Sequence, residues 1–342
     1  MAKSTVPPHK ISAASRAMIR KVVAFARKHD GFLVSGHVRS DGDALGAQLA
    51  FWWLLRKMGK KAHVVCDHGV LPDYRFLPGS DRVGADPADL RKDYSAVFTF
   101  DSGSWGRLER ISAALPRKEL TVVNVDHHAS NERFGDVNWI DPTFSSSGEM
   151  VWELIKASGL KPDRNMATCV YTAIVTDTGR FSFSNTTIET HLNASELLKF
   201  GVKPAEIHKA LFRQKTPELL KFTAEVLGRI RLTADGRVGW IVISKELCEK
   251  TGYVPGDTQE FIDQVKSIRG LQAAVLLRET DEPGRVKVSW RTDAGIDGIE
   301  IASKWGGGGH PRASGATYCG TIADAEREII GETVKLVDRS SR

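Results

Sequence analysis

Between Ser12 and about Asp177 the spacing of apolar residues changes period several times. "SAASRAMIRKVVAFARKH" carries them at helical intervals, and "GFLVSGH" follows as a short run of strand length. "DALGAQLAFWWLLRKMG" returns to a helical pattern and stops at Gly59. "KAHVVC", "SAVFTF" and "LTVVNV" are three more compact runs of strand length. Strands alternating with helices predict an α/β unit, a parallel sheet covered on both faces, with its chemistry at the carboxyl ends of the strands. Trp52 and Trp53 lie inside the second helix and are expected to pack in a core or an interface.

From about Thr187 to Leu220 the pattern is mainly helical, and then the texture changes. "LGRIRLTADGRVGWIVI" reads as two strands joined by a turn at Asp235-Gly236, and "DTQEFIDQVKSI" as a helix. "LQAAVLLRET" and "GRVKVSWRT" read as strands around Glu282-Pro283-Gly284; "IEIASKW" and "DAEREIIGETVKLV" close the chain as helices. The expected organisation is a mobile tail over residues 1–11, an α/β domain over 12–190, a helical linker over 191–222 and a smaller α+β domain over 223–342. No internal repeat or low-complexity tract interrupts it.

The composition is ordinary for a globular protein: 342 residues, 41% hydrophobic and 26% charged. The formal charge of +6 suits an acidic substrate without indicating tight binding to long nucleic acid. Cys66, Cys169, Cys248 and Cys319 form no CxxC pair, so zinc-finger and thioredoxin-like readings lack support. No apolar run approaches the ~18 residues of a membrane span, and "MAKSTVPPHK" lacks the apolar core of a signal peptide. The expectation is a soluble cytoplasmic protein with no membrane partner.

Several of the strand-like runs end in residue types that bind metals. "GHVRSDGDALG" supplies His37, Asp41 and Asp43; "SAVFTF" ends at Asp101; "LTVVNV" ends at Asp126-His127-His128; "CVYTAIVTDTGRF" places Asp177 after a further apolar run. Singly, each has a plain explanation: Asp43 and Asp101 could cap helices or close turns, and His37 could be a satisfied polar residue. Jointly, four carboxylates and two or three imidazoles converging on one sheet edge would repel or desolvate one another without cations. Two divalent ions balance Asp41, Asp43, Asp101 and Asp177 and leave room for an anionic substrate. Oxygen-rich donors with some imidazole favour Mn²⁺ or Mg²⁺ over structural zinc, and a two-metal site suits in-line hydroxide attack on phosphorus.

"HVRSDGD", "FD" at Asp101, "DHH" and "TDTGRFSFSNT" together resemble the DHH phosphoesterase superfamily, in the family's order and over roughly residues 30–190. The resemblance implies that His37 and Asp41 hold a first metal, that Asp43, His127 and Asp177 hold a second, and that Asp101 bridges them. It places Asp126 behind the ligands, orienting one of them. Adjacent histidines project differently, so His127 is expected to ligate while His128 faces the substrate as a catalytic group. One departure is Ser40, where the family often has proline, which would loosen the loop.

"IEIASKWGGGGHPRASGAT" carries Gly306 to Gly309 and then His310. Four glycines can be a flexible linker, but they also let a backbone approach phosphate closely. With "KVSWRT" upstream, this part resembles the DHH-associated C-terminal domain. By that resemblance Arg291 and His310, with Gly307, Gly308 and Gly309, grip a substrate phosphate; Arg312 is a weaker candidate. "SSSGE", Ser145 to Glu149, is expected to start a helix and to line the substrate entrance.

Within the superfamily the chain lacks the lysine-rich signature of family II pyrophosphatases. It is too short for the extra domains of RecJ-type exonucleases, and it lacks the membrane helices of cyclic-dinucleotide phosphodiesterases. The compact form that remains resembles the bacterial nanoRNase/pAp-phosphatase group. This implies two divalent cations, Mn²⁺ first among them, and short RNA or DNA oligonucleotides or 3′-phosphoadenosine 5′-phosphate (pAp) as substrate. A hydrolase of pApA from cyclic-di-AMP turnover and a non-catalytic nucleotide-binding regulator are the alternatives, and a homodimer is left open.

Overall fold

The structure is a computed structural model that describes residues 11–256 and 258–340; all of the expected tail but Ile11 lies outside them. The chain divides into two compact units, Met1–Gln214 and Lys215–Arg342, each built on its own six-stranded sheet.

In the first unit β1 (Phe32–Gly36), β2 (Ala62–Val65), β3 (Val83–Gly84), β4 (Ala96–Phe100), β5 (Thr121–Asp126) and β6 (Val137–Ile140) form the order β3-β2-β1-β4-β5-β6. Every pairing is parallel. The helices are α1 (Ala13–Lys28), α2 (Gly42–Lys57), α3 (Arg110–Ala114), α4 (Ser147–Ala157), α5 (Arg164–Asp177), α6 (Ile188–Leu198) and α7 (Pro204–Phe212). Phe32 and Val34 of β1 face a large core with α1, α2, α4 and α5, whereas Leu33 faces a smaller core with Leu108 and Ile111. Both faces are buried, which is why these strands read as continuous apolar runs. The strand order turns back between β1 and β4. Loops that leave those neighbours diverge, and a crevice opens at their carboxyl ends.

α2 lies at the centre of this unit and is buried nearly all round. It starts at an Asp41 cap whose Oδ1 accepts the N–H groups of Asp43 and Ala44 at 3.0 Å each. Backbone approach fixes its distance from α5, since a Cβ at Gly46 would stand 2.6 Å from the Cys169 carbonyl oxygen. α4 meets α5 as closely: a Cβ on Gly148 would lie 2.2 Å from that of Ala173. "CVYTAIVTD", grouped in the sequence with the strand-like runs, is instead the second half of α5. Burial among α2 and α4 spreads apolar residues round the helix and hides its period.

The second unit contains α8 (Pro217–Leu227), β7 (Arg231–Leu232), β8 (Val238–Ile243), α9 (Lys245–Thr251), α10 (Gln259–Lys266), β9 (Ala273–Glu279), β10 (Arg285–Thr292), α11 (Gly298–Ala302), β11 (Gly308–His310), β12 (Ala313–Cys319) and α12 (Ile322–Ser340). Its sheet runs β11-β12-β10-β9-β8-β7, with only the β8–β9 pair parallel. One core joins Phe222, Phe261 and Ile241 beneath α8 and α10; the other joins Val288, Trp290 and Ile329 beneath α12. The expected α+β unit is present, with the turn at Asp235-Gly236. The β11–β12 hairpin was not expected, because the glycine run hides its first strand.

Among the described residues no helix is long and apolar enough to cross a membrane, and Trp52 packs in the core as expected.

Gly46→Ala pushes a methyl against backbone that cannot yield alone. The substitution is expected to destabilise the protein by about 1–3 kcal/mol, read as a lower urea midpoint at unchanged m-value; a wild-type midpoint would show that α2 and α5 can part freely.

Candidate metal centre

The β1 and β4 ends supply the first donors. His37, just beyond β1, is buried, and its Nδ1 lies 2.8 Å from the Val38 carbonyl oxygen. That contact holds the ring and turns Nε2 toward Asp101 Oδ2 at 3.5 Å and Asp41 Oδ1 at 3.8 Å. Asp101 follows β4 in the left-handed region at φ 54°, a backbone cost typical of functional sites. Its other oxygen, Oδ1, faces His127 Nε2 at 3.5 Å and accepts the Ser147 hydroxyl at 3.2 Å. The two carboxylate oxygens therefore point to different groups.

His127 and His128 follow the end of β5 with ring centroids 4.5 Å apart, and both approach Asp101 Oδ1, His127 Nε2 at 3.5 Å and His128 Nδ1 at 3.4 Å, but they differ in exposure. The His127 side chain is 11% exposed and that of His128 49%. His127 Nε2 lies 3.8 Å from Asp43 Oδ2 and 3.6 Å from Asp177 Oδ2, and it is buried without a hydrogen-bond partner. His128 turns to the opening, where its Nδ1 meets Asp126 Oδ1 at 2.8 Å. Asp126 is fully buried and also accepts Asn131 Nδ2 at 2.6 Å, so the ring it orients is that of His128.

Asp43 does not cap α2, the plain reading the sequence allowed; Asp41 does. The Asp43 carboxylate crosses to the start of α4, accepting the Ser147 N–H at 2.7 Å and the Gly148 N–H at 2.8 Å. Asp177 ends α5 rather than a strand, and its Oδ2 accepts Asn185 Nδ2 at 3.1 Å. His37, Asp41, Asp101, His128 and Asp177, with Ser104, Arg107 and Ser130, line a cleft of about 330 Å³.

Two donor sets emerge, His37–Asp41–Asp101 and Asp43–His127–Asp177, each with ligand-type atoms within 4.8 Å of one another. Asp126 and His128 stand with Asp101 and His127 in a third such grouping. A fourth, Asp67–His68–Glu109, is spoken for: buried Asp67 takes the Arg110 backbone N–H at 3.0 Å and Nε at 2.8 Å.

The charges show how crowded the centre is. Burial disfavours the His37 and His127 cations, but Asp101 and further carboxylates outweigh it and push both up to about 10. Burial, Asp101 and Asp177 push Asp43 well above the carboxylate range. Burial also raises Asp177, to about 6. Burial raises Asp101 too, yet His127 and His37 hold it below its ordinary value. His128 is raised, chiefly by Asp126.

Residues 31–174 match the DHH family, N-terminal domain, and residues 241–336 match the DHHA1 domain. A protein of Thermus thermophilus named bifunctional oligoribonuclease and PAP phosphatase NrnA is 34% identical over 88% of this chain and 88% of its own. The chain belongs to the DHH family. A Bacillus subtilis protein of the same name is 30% identical over 84% of this chain and 90% of its own. Among solved structures, an exopolyphosphatase-related protein from Bacteroides fragilis superposes with a TM-score of 0.85 at 25% identity, covering 95% of each chain.

Four contacts of this DHH protein's centre were not expected, although Ser40, Ser147 and Asn185 lie inside stretches that the sequence singled out. Asn131 joins Asp126 to the loop after β4 by donating to the Ser102 carbonyl at 2.8 Å. Asn185 bridges Asp177 to the Ser145 carbonyl at 2.9 Å. Ser147 touches Asp101, and Ser40 does not loosen its loop: buried, it donates to the His37 carbonyl at 2.7 Å and accepts from Gln48 Nε2 at 3.2 Å. Nothing in spacing alone marks such cross-loop contacts.

In the DHHA1 unit, β10 and β11 flank β12, and both Arg291 and His310 stand opposite Ala313. Residues aligned across a sheet share a face, so the two expected phosphate contacts share one, with a small residue between them. Arg291 Nε pairs with Asp263 at 3.0 Å. A Cβ on Gly307 would lie 2.2 Å from the Gly315 carbonyl oxygen, while Gly308 has open space. His310 and Arg312 are exposed, with the Arg312 N–H 3.3 Å from His310 Nδ1.

In chelator the two raised imidazoles stabilise the fold. Their folded values lie above the ordinary 6.5, so that stability is complete below about pH 6.5 and is lost as pH rises through about 10. The urea midpoint of the metal-stripped protein is expected to fall between pH 7 and 10; a flat or rising midpoint would contradict the charged imidazoles.

Proposed function

We propose that the protein is a metal-dependent phosphoesterase that hydrolyses short oligonucleotides, RNA or DNA, and pAp in the cytoplasm. The observation that carries this reading is the His127 Nε2 atom, buried, partnerless and facing oxygens of Asp43, Asp101 and Asp177 at 3.5–3.8 Å. That spacing is too long for hydrogen bonds and fits a cation among four donors. The Nδ1 contacts of His37 and His127 with backbone carbonyls suit neutral rings that present Nε2 to a metal. The relatives' names supply the substrate classes, and the four free cysteines suit a reducing compartment.

In this reading His37, Asp41 and Asp101 would hold one divalent cation and Asp43, His127 and Asp177 a second, with Asp101 standing between the two sets. Mn²⁺ is the preferred ion, because the donors are mostly carboxylate with some imidazole. When bound, the pair would polarise the phosphate and acidify the attacking water. His128, held by Asp126 at the mouth of the cleft, delivers a proton to the leaving oxygen. The five N–H donors of Arg291 suit a terminal phosphate, with His310 and Gly307 to Gly309 beside it and Arg312 as a lesser contact. The Asp263 contact is made through Nε alone, so it need not break for the guanidinium to hold a phosphate.

The deciding assay is a panel of labelled oligonucleotides of increasing length, with pAp and pApA, run with Mn²⁺ and with chelator. Turnover of pAp and of short oligomers well above that of chains of twenty or more nucleotides is expected, with none in chelator. Full activity of metal-stripped protein would refute the metal reading; faster turnover of pApA than of every other substrate would favour a role in cyclic-di-AMP turnover.

The two histidines separate by experiment. His127→Ala is expected to lose metal and activity together. His128→Ala is expected to keep its metal while kcat falls by roughly 10²–10⁴-fold, the range of a general acid–base group. Elemental analysis beside kcat on both variants checks this, and loss of metal in His128→Ala would exchange their roles.

Binding by the second unit shows in KM. Arg291→Ala is expected to raise KM with little change in kcat and to blunt the preference for short chains, as uniform binding contacts do. A fall in kcat at constant KM would place Arg291 in the chemical step instead.

A further inference from the structure

Ser146 and Glu149 have the spacing of a capping box, and Ser146 does cap α4, accepting the Glu149 N–H at 3.0 Å. The Glu149 carboxylate goes elsewhere. Its Oε2 reaches past the cap to Ser145, taking the backbone N–H at 2.8 Å and the hydroxyl at 2.6 Å. Its Oε1 accepts Asn193 Nδ2 of α6 at 2.8 Å. Asn193 uses its other amide atom, Oδ1, on Lys156 Nζ at 3.3 Å. Glu149 is 2% exposed and Asn193 7%. A buried carboxylate is expensive, and the cap of α4 does not need this one.

The turn it grips touches three carboxylates of the centre. Ser147 and Gly148 give both backbone N–H groups to Asp43, the Ser147 hydroxyl goes to Asp101, and the Ser145 carbonyl shares Asn185 with Asp177. A shift of this turn would move the Asp43 carboxylate at both oxygens.

We propose that Glu149 is a positioning residue for the Asp43–His127–Asp177 metal site, and that Asn193 fixes it through an acceptor–donor pair that can be reversed. The inference rests on the two-metal reading above. Glu149 tethers the turn to α6, and the turn aims Asp43.

The pair lends itself to an isosteric exchange. In Glu149→Gln the new amide nitrogen faces the Asn193 amide nitrogen, donor against donor. Turning the Asn193 amide round would set its NH₂ against the Lys156 ammonium. In Asn193→Asp two carboxylates face each other. In the double variant Glu149→Gln/Asn193→Asp the hydrogen bond returns with its direction reversed, the net charge is that of the wild type, and Lys156 keeps an acceptor.

The test is Mn²⁺ titration by calorimetry, with metal content after gel filtration, at a temperature where circular dichroism reports all four chains folded. Loss of such support for a ligand typically costs 10–100-fold in metal affinity, so Glu149→Gln is expected to weaken one of two ions by about that factor. Asn193→Asp weakens it too, and the double variant recovers affinity to within a few-fold of wild type. Wild-type affinity for both ions in Glu149→Gln overturns the inference, as does a double variant no better than the weaker single. A wild-type protein that takes up no divalent ion overturns the two-metal reading itself, a distinguishable result.

Discussion

Asp101 is the point on which the centre turns. Its carboxylate is almost fully buried, and its two oxygens serve different neighbours, His37 on one side and His127 with Ser147 on the other. A carboxylate buried there calls for cationic partners: the His37 and His127 imidazoles, whose protonation it favours, in the bare protein, and metal ions in the proposed active form. The rest of the first unit serves that arrangement. The parallel sheet brings β1 and β4 side by side at the point where strand order reverses, so His37 and Asp101 must meet. The close approach of α2, α4 and α5 then brings Asp43 and Asp177 to the other side.

Helix termini complete the centre. Asp41 spends one oxygen on the start of α2, and Asp43 spends both on the start of α4. Backbone N–H groups at a helix start favour negative charge, which offsets part of the repulsion among the carboxylates. The same contacts fix how each side chain can rotate. The Asp43 carboxylate is held at both oxygens, whereas Asp41, half-exposed, keeps one free.

Much of this was legible in the chain. Strand-length apolar runs that stop at aspartate and histidine mark the carboxyl edge of a parallel sheet, and all six residues expected to hold metal converge there. What misled was local. Asp177 seemed to end a strand, because a helix buried on most sides loses its amphipathic period. The β11–β12 hairpin vanished into a glycine run whose composition suggests a loop. The plain alternative of a capping role fell on Asp43 rather than Asp41, since position relative to a helix start shifts by a residue or two when read from pattern. Asn131, Asn185 and Ser147 act between segments far apart in sequence, and no spacing rule reports a contact of that kind.

The donors come from chain segments spread between His37 and Asp177, and the last of them ends α5. During synthesis from the N-terminus, β1, β4 and β5 can pair before α5 exists, but the second donor set stays incomplete until residue 177 has emerged and docked. α5 packs by backbone contact against α2, so docking and completion are one event. Earlier chain lengths hold only fragments of the constellation, such as the His37–Asp43 loop and the Asp126–His128 triplet. In the proposed two-metal form, capture of the ions would thereby be tied to finished folding, and ions that bind the native state alone would favour the docking of α5 by mass action.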